Sequence, residues 1–386
     1  MRILMVPMAA MAETAGPFSR TQKLAQIFTD RGYEVALCAA RDPNFRMISG
    51  TENYFLPVPV PMGLPRMIGL HTFPIAEKLG LMKHKTVHSF EEVLFLTGAN
   101  SYPYFINSIE WIRKAIKDFR PDLVYSEFNL SAIVAAKLDG IMVFSGFSYP
   151  AQTSYAASPQ YSKGVNRALK ELGMNTVQSS LDIFELADQL IIPSSYELEP
   201  INRQNVIFTG PLGKREEAVK TEKKSKILAY MGNGTISKTS LIKVLTEAFA
   251  GSNYEIYIAG RGLQEVNENN MHIGSHFDFP ALLPGAAAYI NHGGQNSIMD
   301  GLAYGVPQII CPGKVFERKY NAASIEKNQA GIWLTEKNFN VENIKEAIKL
   351  FIENQSYSEN AKKLGDSLAA LGGAEAVIHQ IELTFR

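Results

Sequence analysis

The order strand, glycine loop, helix, strand opens this chain and starts again after residue 226, and this repetition restricts the fold more than any other feature. Ile3–Pro7 is a short apolar run, and Met8–Pro17 is a loop containing Gly16. Phe18–Arg31 is a helical stretch with apolar Phe18, Leu24, Ile27 and Phe28, and it stops at Gly32. Tyr33–Ala39 is the next strand. A βαβ unit of this kind makes a parallel sheet whose ligand edge lies at the loops beyond the strand ends. The alternation continues through helix 106–119, strand 122–125, helix 131–138 and strand 141–145, with later strands at 190–193 and 206–210.

Residues 212–226 are charged and nearly free of large apolar side chains, which reads as an exposed linker. Beyond them come strand 227–231, the loop Gly232-Asn233-Gly234-Thr235, helix 240–250 and strand 255–259. Strand 288–291, a second glycine loop with its helix, strand 308–311 and helix 321–328 follow. Residues 341–386 read as helical throughout, with a break at Gly372-Gly373. The chain has 386 residues, and a single core stops growing near roughly 250–300. The expected architecture is therefore α/β, with two doubly wound, Rossmann-like domains facing a cleft. Their expected bounds are 1–211 and 227–365, with the linker 212–226 between them and a helical tail 366–386 that can pack back on the first domain. Residues 60–81 lack a clear period and are rich in Met, Leu, Pro and Gly, which suggests an irregular apolar lid or pocket wall.

The 38 Lys and Arg balance 38 Asp and Glu, so no global charge draws the chain to nucleic acid or an anionic membrane. Cys38 and Cys311 are too few for a disulfide framework, and a reducing cytoplasm is the expected location. The first twelve residues resemble a short signal peptide, but Pro7 interrupts their apolar run and a helix pattern follows directly. His272 and His276 lack a carboxylate at metal-ligand spacing, so no metal site is expected.

The chemistry concentrates in Tyr289-Ile-Asn-His292-Gly293-Gly294-Gln-Asn296-Ser297-Ile-Met-Asp300, followed by Gly305-Val-Pro307. A strand ends in His-Gly-Gly and a helix begins at about Gln295. Paired glycines let the backbone approach an anion, and the first-turn N–H groups with the helix dipole favour phosphate there. His292, Asn296 and Ser297 add donors, and Asp300 can accept hydrogen bonds from a ribose diol. The plainer alternative is a glycine turn with an N-capping Ser or Asn.

These residues resemble the donor signature of the UDP-glycosyltransferase superfamily, the inverting GT-B enzymes. The similarity extends to Arg31-Gly-Tyr-Glu-Val35, Pro121-Asp-Leu-Val124 and Phe277-Asp-Phe-Pro280 through Leu283. The resemblance implies a nucleotide-sugar in the C-terminal domain and a small-molecule or lipid-like acceptor in the N-terminal one. It implies no metal and no cofactor beyond a UDP-sugar co-substrate, and it leaves room for peripheral membrane contact. His292, Gly293, Gly294, Asn296 and Ser297 would hold the diphosphate, faced by Gly232, Asn233, Gly234 and Thr235, and Asp300 would hold the ribose. Glu317 keeps the family's carboxylate for donor-sugar hydroxyls, while Arg318 replaces its usual amide.

Inverting transfer needs the acceptor hydroxyl deprotonated as it attacks. The family's catalytic His falls on Pro17, which cannot accept a proton, and its orienting Asp falls on Glu127. Three accounts follow. Glu127 reaches the acceptor itself; another group serves, with Glu13 nearest and His71, His84 and His88 in or beside the lid; or the chain binds a nucleotide-sugar without transferring it, as the partner of another subunit. Ser19 would cap the first helix, and Arg20 either shares that start or neutralises an acceptor or phosphate charge. Phe144, Phe147, Tyr149, Tyr155, Tyr102 and Tyr104 line an aglycone pocket or belong to the core.

Overall fold

The computed structural model describes all residues except 10–15, 66, 70–74, 76–85, 157, 214–223 and 233. The first sheet takes β1 (Arg2–Pro7), β2 (Glu34–Ala40), β3 (Glu52–Leu56), β4 (Leu123–Glu127), β5 (Met142–Gly146), β6 (Gln189–Ile192) and β7 (Val206–Phe208). Its spatial order is β3-β2-β1-β4-β5-β6-β7, all pairs parallel. Helices α1 (Pro17–Asp30), α2 (Phe90–Thr97), α3 (Tyr102–Phe119), α4 (Leu130–Leu138) and α5 (Lys163–Glu171) cover it.

The second sheet holds β8 (Lys226–Tyr230), β9 (Glu255–Ala259), β10 (Val266–Glu268), β11 (Met271–Gly274), β12 (Ala286–Asn291), β13 (Gln308–Ile310) and β14 (Gly331–Trp333). Its order is β10-β11-β9-β8-β12-β13-β14, with β10 antiparallel at the edge. Its helices are α6 (Lys238–Phe249), α7 (Gln295–Ala303), α8 (Phe316–Lys327), α9 (Val341–Glu353) and α10 (Ser356–Ala370), and α11 (Ala374–Thr384) returns to the first domain. Strands β1 and β12 are apolar along almost their whole length because helices cover both faces of each sheet.

In each sheet the first strand lies beside a later one, β1 beside β4 and β8 beside β12. The chain leaves such neighbours in opposite directions, so a crevice opens at their carboxyl ends. Two such crevices place the site.

The cores continue across the boundary between domains. Helix α11 lays Ala374, Val377, Ile378 and Ile381 into the cluster that holds Ile3, Met5, Leu24 and Phe28 of the first domain. Gly373 N donates to Thr209 O at 2.7 Å, and Arg31 pairs with Glu375. Helix α10 instead packs Ala361, Leu364 and Leu368 with Leu302, so the crossover falls at Gly372-Gly373, inside the expected tail. A second break, at Asn354-Gln355, separates α9 from α10, where one continuous helix is expected from the sequence.

Other differences have local causes. α8 begins at Phe316, five residues before the expected start at Asn321, because Val315 takes an extended conformation as its N-cap and pairs with Val87 of the first domain. This puts Glu317 and Arg318 in a helical first turn. Strands β3, β10, β11 and β14 are too short or too polar to show a period-two pattern. Among the described residues no helix is long and apolar enough to cross a membrane.

Candidate functional site

At the end of β12 the chain turns through His292, Gly293 and Gly294 into α7. Gly293 has φ +81°, a left-handed conformation, and a Cβ there would lie 3.0 Å from both Arg318 O and Ile310 Cγ2. The His292 ring is wedged between the two glycine loops. A Cβ on Gly294 would stand 2.8 Å from His292 Nε2, one on Gly232 3.1 Å from its Cε1, and one on Gly234 3.1 Å from its Cβ. Only residues without a side chain let the loops after β8 and β12 close on this imidazole.

Buried amides fix the turn. Asn291 Oδ1 accepts from Gly293 N at 2.8 Å, and Asn321 Nδ2 donates to Gly293 O at 2.9 Å. Asn291 Nδ2 donates to Gln308 Oε1 at 2.8 Å, and Gln308 Nε2 donates to Ile298 O at 2.9 Å. Asn291 and Gln308 are fully buried. Neither residue stands out in the sequence, although amides at neighbouring strand ends of a parallel sheet are the signal that marks them.

The amino end of α7 carries no side-chain cap; Gly294 is its N-cap. Among the described residues, His292 Nδ1 and Thr235 Oγ1 are buried without a hydrogen-bond partner. Unpaired buried polar atoms are uncommon; His292 lies in the turn that leads into this uncapped helix start, and Thr235 lies in the facing loop, against Gly313. Burial, and then the nearby Arg318 cation, push the His292 imidazole down to about 3, so it is neutral. Ser297 is buried, and its hydroxyl meets that of Tyr289. Asp300 is exposed, yet the surrounding protein shields its carboxyl from bulk water enough to lift it to about 6, against the pull of Lys23. Burial lowers the Arg318 pKa, opposed by Glu317 in the same turn. Asn233 lies outside the described residues.

The matching crevice of the first domain is built differently. The N-cap of α1 is Gly16, not Ser19, and Pro17 occupies the first turn, where its missing N–H is harmless. Arg20 Nε donates to Glu127 Oε1 at 2.6 Å, and its Nη1 reaches Gln295 Oε1, the first residue of α7, at 3.4 Å. The guanidinium also lies 5.5 Å from the centre of the Phe128 ring. Burial works against the Arg20 charge, but Glu127 outweighs it and Glu317 adds to it, so the pKa is raised. Phe128 has φ +58°, a strained value for a side chain of this size, at the turn between Glu127 and the N-cap Asn129.

Glu127 is 1% exposed, and a Cβ on Gly146 would lie 2.9 Å from its Oε2. The carboxylate is therefore enclosed behind Arg20, not open to the cleft as expected of a group that takes the acceptor proton. Glu13, His71 and His84 lie outside the described residues. His88 Nδ1 sits 3.1 Å from Glu92 Oε2. His272 stacks on Tyr257 and lies 2.7 Å from Glu255, and the described residues contain no cluster able to hold a metal ion.

The aromatic residues divide between the two expectations. Phe144, Phe147 and Tyr104 are core. Tyr102 bonds Glu171 at the surface. Tyr149 stacks on Tyr320 of α8, with ring centres 4.7 Å apart, and Tyr155 meets the same ring edge-on. The Tyr320 hydroxyl and Ser324 Oγ both donate to Leu198 O at 2.9 Å, tying the domains together. Beside this seam lies Glu199, which nothing in the sequence singles out. It lines a small cavity with Ser194, Gln295 and Asn321, and Tyr149 N donates to its Oε2 at 2.6 Å. Burial pushes its carboxyl up to about 7 despite that bond.

Comparison with known proteins agrees with this layout. Residues 257–383 match the family model described as the erythromycin biosynthesis protein CIII-like C-terminal domain. An uncharacterized glycosyltransferase of Methanosarcina mazei is 28% identical over 292 residues, covering 70% of this chain and 75% of that protein. The NDP-glycosyltransferase YjiC of Bacillus subtilis is 22% identical over 295 residues, covering 70% and 74%. The calicheamicin glycosyltransferase CalG4 superposes with a TM-score of 0.75 at 16% identity, covering 99% of this chain and 97% of that one.

Proposed function

Because this chain belongs to the UDP-glycosyltransferase superfamily and has the GT-B fold of its glycosyltransferases, we propose that it transfers a hexose from a nucleoside diphosphate to a hydroxyl of a small or lipid-like acceptor, inverting the anomeric carbon without a metal ion or cofactor. The observation that carries the reading is the uncapped amino end of α7 beside His292, whose Nδ1, like Thr235 Oγ1 in the facing loop, is buried without a partner among the described residues. A pyrophosphate seated there takes the His292 donor and the first-turn N–H groups. Gly293 and Gly294 keep the backbone close, and Asn296, Ser297 and the Gly232–Thr235 loop complete the contacts. Asp300 accepts from the ribose, Glu317 accepts from donor-sugar hydroxyls, and Arg318 adds a charge that favours an acidic sugar.

Proton removal from the acceptor falls to a carboxylate of the first domain, Glu13 or Glu127. Glu127 has to work from behind Arg20. The enclosed Arg20–Glu127 pair and Pro17 also support a second reading, a nucleotide-sugar-binding partner with no transferase activity.

The test offers UDP-glucose, UDP-galactose and UDP-glucuronate, with and without phenolic and sterol-like acceptors, and reads released UDP. Acceptor-dependent release that survives a chelator supports the enzyme. Thermal stabilisation by UDP or TDP with no transfer supports the binding protein. His292→Ala should weaken UDP by roughly 1.5–3 kcal/mol, as expected for a hydrogen bond to a charged phosphate.

A further inference from the structure

Arg20 stands in the crevice where the family's base is expected, but a guanidinium does not give up its proton. Its surroundings suggest a different role. Glu127 holds Nε from behind, and the Phe128 ring lies close to the guanidinium. In front of it stand Gln295, the first residue of α7, and the carboxylate of Glu317. One helical turn further along α1, the Lys23 charge is near enough to hold the Asp300 carboxyl down against the effect of burial. The contact between Arg20 and Gln295 spans the cleft and brings a cation of the first domain to the start of α7.

On the proposed reading of the site, we infer that Arg20 is the first domain's contribution to the diphosphate site and stabilises the leaving group. During transfer the acceptor oxygen bonds to the anomeric carbon while the bond from that carbon to the β-phosphate oxygen breaks. The electron pair stays on that oxygen and the acceptor proton passes to a carboxylate. The nucleoside diphosphate thus leaves with one more negative charge than it carried in the sugar ester. A guanidinium already fixed in a seam of low dielectric meets that charge without reorganising, which is how preorganised donors accelerate such steps. Glu127 is then a positioning residue, because it holds the Arg20 fork toward α7.

The experiment compares UDP with UMP, and TDP with TMP, by calorimetry on the full chain. It uses the wild type, Arg20→Lys, Arg20→Gln and the doubly neutral Arg20→Gln/Glu127→Gln, which leaves no uncompensated buried charge if the single variant folds poorly. The inference expects the double variant to bind UDP about 10- to 100-fold more weakly and UMP within about 2-fold of the wild type, since only the diphosphate reaches Arg20. It also expects turnover to fall at least about 100-fold in Arg20→Gln and partly recover in Arg20→Lys. Equal weakening of UDP and UMP, or unchanged UDP affinity in a folded double variant, would overturn it. A wild type that binds none of the four nucleotides removes the proposed function itself, and this inference with it.

Discussion

The two domains present the same topological corner to the cleft but fill it with different chemistry. After β12 the corner is made of backbone: two glycine loops, an uncapped helix start and a neutral His292, all held by amides. After β1 and β4 it is made of an ion pair, Arg20 with Glu127, between residues 107 apart in sequence. One fold thus supports two strategies. A site formed by loop geometry binds an anion with few net charges, while a site formed by charged side chains depends on long-range pairing and on the enclosure that strengthens it.

Breaking the ion pair should separate the corners most sharply. Glu127→Ala leaves the Arg20 charge buried and unpaired, and stability should fall by about 3–5 kcal/mol in denaturant titrations. Glu127→Gln should fall by clearly less. If Glu127→Ala unfolds like the wild type, the pair is a surface contact and the contrast fails.

The seam between the corners should show its own pH dependence. Glu199 titrates near 7 in the folded chain against an ordinary 4.5, so the fold holds this proton more tightly than the unfolded chain does. That contribution is complete below pH 4.5 and is lost as pH rises through 7. The wild type should lose roughly 3 kcal/mol of stability across this window from this one group. Glu199→Gln should flatten the curve and be the more stable form at pH 8. Identical pH profiles would rule Glu199 out as the source.

Smaller effects test the backbone corner. Gly294→Ala drives a Cβ against His292 Nε2 and should weaken UDP by about 1–2 kcal/mol with little change in stability, in the range of a lost hydrogen bond to a charged group. The smallest expected change comes from Asp300, whose carboxyl is lifted to about 6 and which, on the proposed reading, accepts from the ribose as the carboxylate. Affinity for UDP-glucose, whose diphosphate does not titrate in this range, should therefore decline by about 1 kcal/mol as pH drops from 7 to 5, and Asp300→Asn should lose that dependence.

The contrast also explains what the sequence makes legible. The α7 corner is written in consecutive residues, His292 to Asp300, because helix starts and glycine turns are local. Most element positions follow for the same reason, since buried parallel strands are apolar runs. Asn291, Gln308 and Asn321 are not legible in this way, because their value lies in bonds made across strands and to a distant helix. Arg20 is visible at the start of the first helix, but its partnership with Glu127 arises only when α1 packs against β4, and its reach to Gln295 only when both domains assemble. Glu199 is hidden for another reason: Ser194 to Pro200 reads as a polar loop, and only packing against α8 buries it.

The most direct test of the account is the position of the β-phosphate in a complex with UDP. The prediction places its oxygens within hydrogen-bond distance of His292 Nδ1 and the first backbone N–H groups of α7, with Arg20 on the opposite side. A nucleotide bound elsewhere, or protein side chains filling that corner in its presence, would contradict it.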